Sequence, residues 1–290
     1  MVSIDLLLNA VVAGILIGGF YAAVSLGISV VFGLLDIANI AHPLFVITGS
    51  YFTFYLNSNF GLDPILVGLI LMPLFFVIGN IVYQSYYHFF EKQGAEPLRG
   101  LVFFFGVLFL IEVSIIITFG VDYQLVEAAY LGESLNLGIV NVSYRLFIPF
   151  LVGVLLTTGL HFFFAKTFYG RAIMGVSQDS LALSLMGADP VRIKSVAFGI
   201  GIATASMAGA LLVMILPIEP ALGREYIGRV FAVAVLGGLG SVKGALFAAI
   251  ILGIAESLTA TYFGAAWSSG VSFGFLLLVL AVRPAGLFGR

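Results

Sequence analysis

Few side chains in this sequence are placed to do chemistry. Glu112, in FLIEVSII, and Glu256, in GIAESL, are carboxylates inside apolar runs. A charge at that depth is costly, so each reads as a proton- or solute-handling group, or else as a protonated or paired glutamate that seals a helix contact. No basic residue is expected beside them at mid-membrane, which leaves a proton relay without its cationic half. Asn39 and His42 lie in the interrupted segment GLLDIANIAHP, residues 33–43, and either line a path or satisfy a contact between helices. His42, His88 and His161 have no ligand-like spacing and cysteine is absent, so no metal site, disulfide framework or thiol nucleophile is expected. No Ser, His and Asp grouping on one membrane side supports a hydrolase. The run GGLGSVKG, residues 237–244, invites a phosphate-loop reading, but that loop needs Gly directly before Lys and Ser or Thr directly after it. Val242 and Gly244 stand there instead. Gly237, Gly238 and Gly240 are therefore expected to let two helix halves meet closely, at a break facing a transport route.

Membrane helices must position these groups. Of the 290 residues, 61% are hydrophobic and only 9% charged, far too few charges for a soluble surface. A net charge of −2 offers no basic surface for nucleic acid. Residues 1–33 lack a basic start and a small-residue cleavage signature, so they are expected as a first span rather than a removable signal. A span takes about 20 apolar residues. On that rule residues 6–32, 65–89, 101–119, 144–165, 195–216 and 267–282 are candidate spans, 44–56 is a shorter one, and 226–262 is interrupted by the glycines. The expected fold is all-α and polytopic: one permease-like domain over 1–290 with eight or nine membrane segments, broken or re-entrant near 33–44 and 236–245. Gly14 and Gly18, at GxxxG spacing, predict a close helix crossing. Asp63 before Pro64 predicts a capped helix start, and Pro73 a kink.

One interior stretch, Lys166 to Lys194, is polar and basic yet helical in pattern. Asp179 can cap a helix of about two turns starting at Ser180, with Gly187 as its left-handed closing residue. Asp189 and Pro190 then start a second helix that runs into the apolar segment from Ser195. Lys92, Arg99, Lys166, Arg171, Arg192, Lys194, Arg283 and Arg290 fall on one side of this threading, and Arg145, Arg224 and Arg229 on the other. The stretch 120–143 carries Asp122, Glu127 and Glu133 without Lys or Arg. Retention of positive loops inside therefore makes 166–194 and the C-terminus cytoplasmic, with loops 120–143 and 217–229 outside. Two passes within 226–262 give nine segments and an outer N-terminus; a re-entrant turn there changes both.

Four stretches, GLLDIANIAH at 33–42, GRAIMGVSQDSLALSLMGADPVRIK at 170–194, VLGGLGSVKGALFAAIILGIAES at 235–257 and RPAGLFGR at 283–290, occur in order over nearly the whole chain. In them the chain resembles the permease subunits of bacterial ABC importers for branched-chain amino acids, a family that also includes permeases for urea, short amides and other small amino acids. The resemblance implies that 166–194 is the coupling segment docking on an ATPase subunit. Gly170, Arg171, Asp179, Ala182 and Gly187 match the family's pattern, and Gln178 and Met186 belong to the same segment. It further implies an inner-membrane assembly of two related permeases, two ATPase subunits that hold the ATP and magnesium, and a periplasmic solute-binding protein, with no cofactor on this chain. Two positions depart from the pattern: Pro43 replaces the usual glycine after the Ala-His pair, and Glu112 a common amide. The alternative from another class is a carrier driven by protons through Glu112 and Glu256.

Overall fold

The computed structural model of the chain describes residues 4–94, 97–136, 138, 140–283 and 285–288. Pro284, Gly289 and Arg290 of the C-terminal motif lie outside the described residues. The architecture is all-α, with eleven helices and one short hairpin among the described residues.

Helix α1 (Ile4–Leu35) runs through the middle, buried over most of its length. It is followed by α2 (His42–Phe60), α3 (Pro64–Phe89) and α4 (Pro97–Phe119). An irregular stretch then carries the hairpin β1 (Ser134–Asn136) and β2 (Asn141–Ser143), before α5 (Tyr144–Lys166). Two short helices, α6 (Phe168–Gln178) and α7 (Ser180–Leu185), precede α8 (Pro190–Ile215). The chain ends with α9 (Leu222–Gly237), α10 (Val242–Phe263) and α11 (Ala265–Val282).

The long helices alternate between two ends. At one, the Asn141 N–H donates to Asn9 Oδ1 at 3.1 Å, Asn57 Nδ2 to the Glu127 carbonyl at 3.3 Å, and Gln124 pairs with Ile218 as an isolated bridge. At the other, Lys194 bonds Glu91 at 2.6 Å and the Leu287 N–H donates to the Leu236 carbonyl at 2.8 Å. Among the described residues, seven helices are long and apolar enough to cross a membrane: α1, α3, α4, α5, α8, α10 and α11. Helix α2 and the 16-residue α9 run between the same two ends, although α9 at about 1.5 Å per residue falls short of a full span.

Local chemistry sets the helix boundaries. Asp63 Oδ1 accepts the Ile65 and Leu66 N–H groups, with Pro64 in the first helical position, as the sequence predicts. The first break is residues 36–41, where Asp36 sits in the left-handed region at φ +57°. The second is residues 238–241. Both lie within the expected ranges. Residues 217–229 differ from expectation. Only 216–221 is loop, and α9 begins at Leu222, so Arg224 and Arg229 are carried on a helix. The segment 44–56 is likewise part of a 19-residue helix that begins at His42 and takes Pro43 into its first turn.

The central packing depends on absent side chains. A Cβ on Gly14 would lie 2.6 Å from Ile254 Cα, and one on Gly18 2.5 Å from Ile250 Cα. The α1 and α10 backbones therefore touch, which is the GxxxG crossing expected from the sequence. Gly18→Leu should force these helices apart and lower the thermal unfolding midpoint of the detergent-solubilised protein, an overpacking cost of about 1–3 kcal/mol or more. Gly106→Ala on α4, where an added Cβ meets nothing within 4 Å, should leave the midpoint unchanged or slightly raised.

Candidate functional site

Outside the spans, α6 and α7 form a small folded module. Thr167 Oγ1 accepts the Gly170 N–H at 3.0 Å and starts α6. Gly170 itself is buried: a Cβ there would come 2.2 Å from the Phe163 carbonyl oxygen, so only glycine lets α6 fold back on α5. Ile173 and Val176 complete the buried face of α6 while Arg171 and Gln178 stay exposed. Asp179 Oδ1 accepts the Leu181 and Ala182 N–H groups, each at 2.9 Å, and so caps α7. Gly187, at φ +85°, closes the helix, and the Ala188 N–H returns to the Leu183 carbonyl at 3.3 Å. Asp189 Oδ1 then caps α8 through the Val191 and Arg192 N–H groups. The sequence predicted α7 and its caps. It missed α6 as a separate helix, although Thr167 and the Gly170, Ile173, Val176 spacing were available signals. Helix α7 buries none of its residues, and Leu185 and Met186 are 81% and 82% exposed.

Within the spans both acidic groups are paired, one of the two readings the sequence allows, but their partners are arginines, which the sequence does not place beside them. Glu112 on α4 forms an ion pair with Arg224 of α9. Glu256 on α10 is held from three sides. Arg229 Nε of α9 donates to its Oε1 at 3.1 Å, the Ser272 hydroxyl of α11 to the same oxygen, and the Tyr21 hydroxyl of α1 to Oε2. Arg229 Nη2 also donates to Ser269 Oγ at 2.9 Å, and its guanidinium lies 5.1 Å from the Tyr226 ring centroid, a cation–π contact. Four helices thus meet on one carboxylate. Both arginines fall in the expected outer loop 217–229, which overlaps the segment expected to start at Tyr226, whereas the helix begins at Leu222 and carries both. The usable signal was Tyr226 and Arg229, three residues apart and running directly into the apolar VFAVAVL.

The remaining candidates line the two breaks. His42 is fully buried, its Nε2 3.1 Å from the Val24 carbonyl. A carbonyl only accepts, so Nε2 carries the proton. Asn39 Oδ1 accepts the Ala41 N–H at 3.1 Å. Asn39 Nδ2, His42 Nδ1 and the Tyr51 hydroxyl find no partner among the described residues. In the second break Gly238 and Gly240 take φ of +89° and +81°, and Gly237 packs on the backbone of Gly244. Ser241 Oγ caps α10 by accepting the Gly244 N–H, a structural use of the GGLGSVKG run. The structure brings Gly240 against Gly33 beside the first break, while Glu112 and Glu256 take separate arginines of α9.

Comparison with known proteins places this geometry in context. Residues 10–280 match the family model described as the branched-chain amino acid transport system permease component. The high-affinity branched-chain amino acid transport system permease protein BraD of Pseudomonas aeruginosa is 31% identical, over 98% of this chain and 96% of its own length. The permease protein LivH of Escherichia coli, named for the same kind of system, is 29% identical over 96% of this chain and 94% of its own length. The permease protein LivM of Escherichia coli is 32% identical over 41% of this chain and 28% of its own length. No solved structure matches the chain.

The buried cluster can be tested directly. Glu256→Gln leaves the Arg229 guanidinium without its counter-ion, and breaking a buried pair this way is expected to cost about 3–5 kcal/mol. Adding Arg229→Gln should recover a large part of that loss, measured as a double-mutant cycle in denaturant unfolding from mixed micelles. Equal, additive losses would show that the two groups do not depend on each other.

Proposed function

The chain belongs to the family of branched-chain amino acid transport permease components, and from that premise we propose that it is one permease subunit of an ATP-driven importer. Its solute would be a branched-chain or similar small amino acid, moved from periplasm to cytoplasm across the bacterial inner membrane; urea and short amides are the alternative solutes. The single observation that carries the reading is the α6–α7 module: a helix outside the spans, capped at Asp179 and joined through Asp189 to the membrane helix α8, with Leu181, Leu185 and Met186 uncovered. Exposed apolar side chains on a rigid projecting helix suit a surface that a partner subunit covers.

In this scheme two ATPase subunits bind and hydrolyse ATP, and this chain hydrolyses nothing. Gly170, Arg171, Gln178, Asp179, Ala182, Met186 and Gly187 form the docking segment on the cytoplasmic side. The two breaks, with Asn39, His42, Gly237, Gly238 and Gly240, are where α1, α2, α9 and α10 change direction as the pathway alternates in access. Glu112 and Glu256 hold α9 in place through Arg224 and Arg229. That pairing weakens the proton-carrier alternative, which needs free carboxylates. The partial match to LivM supports a second, homologous permease as the other half of the pathway. The acidic stretch 120–143, at the opposite end from the docking segment, would face a periplasmic solute-binding protein.

Reconstitution tests the reading. Labelled leucine or valine should enter proteoliposomes holding this chain, its second permease, the ATPases and the binding protein only with ATP on the ATPase side, and a proton uncoupler should not stop it. Uptake by this chain alone that collapses with the uncoupler would instead establish a carrier. Leu185→Asp places a charge on the docking face without touching a buried group. It should insert and fold normally while ATP-coupled uptake falls at least about tenfold, as expected when an interface centre is disrupted.

A further inference from the structure

Beneath the α6–α7 module lies a cavity of about 490 Å³, walled by the end of α1, by α5 and α6, by the 238–241 turn and by the C-terminal segment. Five polar side chains line it: Lys243 of α10, His161 of α5, Ser177 and Gln178 of α6, and Ser241 of the 238–241 turn. Ser177 Oγ donates to the Met174 carbonyl and Ser241 Oγ accepts the Gly244 N–H, whereas the Lys243, His161 and Gln178 side chains make no hydrogen bond or ion pair with another described residue. Among the described residues the lining contains no Asp or Glu, so none of them compensates the lysine charge there. In this it differs from the larger cavity at the opposite end, where Asp63 and Glu127 line the wall. Beside the polar groups the character changes. Phe288, also in the lining, stacks on Phe247 at 5.5 Å, and both rings are about half exposed. Phe247 lies four residues after Lys243, on the same side of α10. The site therefore has a cationic end and an aromatic end facing outward.

We propose that this cavity binds a phosphate-bearing anion, supplied by an anionic phospholipid at the membrane boundary. The headgroup phosphate meets Lys243 and His161, and the acyl chains lie over Phe247 and Phe288. Lysine is a point-charge binder of phosphate, and basic pockets between membrane helices take anionic headgroups. The position gives binding a consequence. Ser177 and Gln178 end α6 immediately before α7, and they face the 239–243 stretch that packs on Gly33. A phospholipid seated between them ties the docking module to the second break, so coupling becomes sensitive to lipid charge. That consequence rests on the importer reading; the binding does not.

The test is native mass spectrometry of the full-length chain, alone and in its assembled complex, with equimolar phosphatidylglycerol and phosphatidylcholine. Wild type should retain phosphatidylglycerol about tenfold over phosphatidylcholine. Lys243→Ala with His161→Ala should lose the preference. Lys243→Arg should keep it, as should Lys92→Ala, a control at the same end. Thermal protection by inorganic phosphate that the double variant loses, without any lipid preference, would keep the phosphate chemistry and assign the source to solution. A preference that survives the double variant, a wild type that responds to neither ligand, or a lipid lost on assembly with the partner subunits would overturn the proposal. Lipid binding as expected but no ATP-dependent uptake in any vesicle would leave the site standing and remove the importer reading.

Discussion

A bilayer offers no hydrogen bonds to an open backbone, and among the described residues this chain interrupts its helices at 36–41 and again at 238–241, the turn at the end where α6 lies. Each break is closed by protein. In the first, the Asn39 N–H donates to the Ile37 carbonyl at 2.9 Å, the His42 N–H to the Asn39 carbonyl at 3.2 Å, and the Asn39 side chain takes the Ala41 N–H. In the second, the Gly238 N–H returns to the Val235 carbonyl and the Ser241 N–H to the Gly238 carbonyl. The C-terminal segment supplies what the turn cannot: the Leu287 N–H donates to the Leu236 carbonyl, and Gly286, at φ +76°, passes so close to Val235 and Gly238 that no side chain fits. Gly33 meets Gly240 where an added Cβ would fall 1.8 Å from a backbone nitrogen. Three stretches far apart in sequence thus form one sealed joint.

The same constraint divides the molecule by stiffness. Helices α1 and α8 are sheathed by other helices, and small residues bring their neighbours to backbone contact. Ser50 Oγ reaches the Gly209 carbonyl at 2.7 Å, and a Cβ on Gly209 would meet the Val46 oxygen at 2.2 Å. Helices α4 and α11 instead leave large apolar side chains uncovered, as Phe109, Leu110, Ile117, Leu277 and Leu278 are exposed. In lipid that exposure carries no penalty, because the surroundings are as apolar as the side chains. The tight centre holds the first break and the Arg229–Glu256 pair, the Arg224–Glu112 pair ties peripheral α4 to α9, and the loose periphery is where the bilayer does the covering.

What the sequence reveals follows from how local each cause is. The Asp63–Pro64 and Asp189–Pro190 starts, the Asp179 cap and Gly187 closure, the GxxxG crossing and both breaks depend on residues within one or two helical turns, and all are legible. The charge pairing is not. Arg229 and Glu256 are 27 residues apart and Arg224 and Glu112 are 112 apart, so nothing in a hydropathy window joins them. Reading the arginines as loop residues also put the start of α9 at Tyr226 instead of Leu222, because two arginines within six residues depress the hydropathy of its first turns. Gly286 and Leu287 were legible only as part of a motif. Their reason, closure of the 238–241 turn, exists only in three dimensions.

Helix α7 shows how far so short a helix outside the spans depends on its caps. Six residues cannot hold a helix on propensity, since nucleation costs more than so short a run returns. Asp179 and Gly187 fix its ends, and the reversal at Gly170 fixes α6 against α5, so α7 has little freedom relative to the membrane helices on either side. Having no buried face, it gains nothing from the core of its own chain. Burial of a leucine or methionine side chain stabilises by about 1.5–3 kcal/mol. Leu181, Leu185 and Met186 hold that gain in reserve for whatever covers them. The segment is ordered by local bonds, and in the proposed importer a displacement of the partner that covers it would pass through Asp189 to the first turn of α8 and on to its packing with α3, α2 and α1.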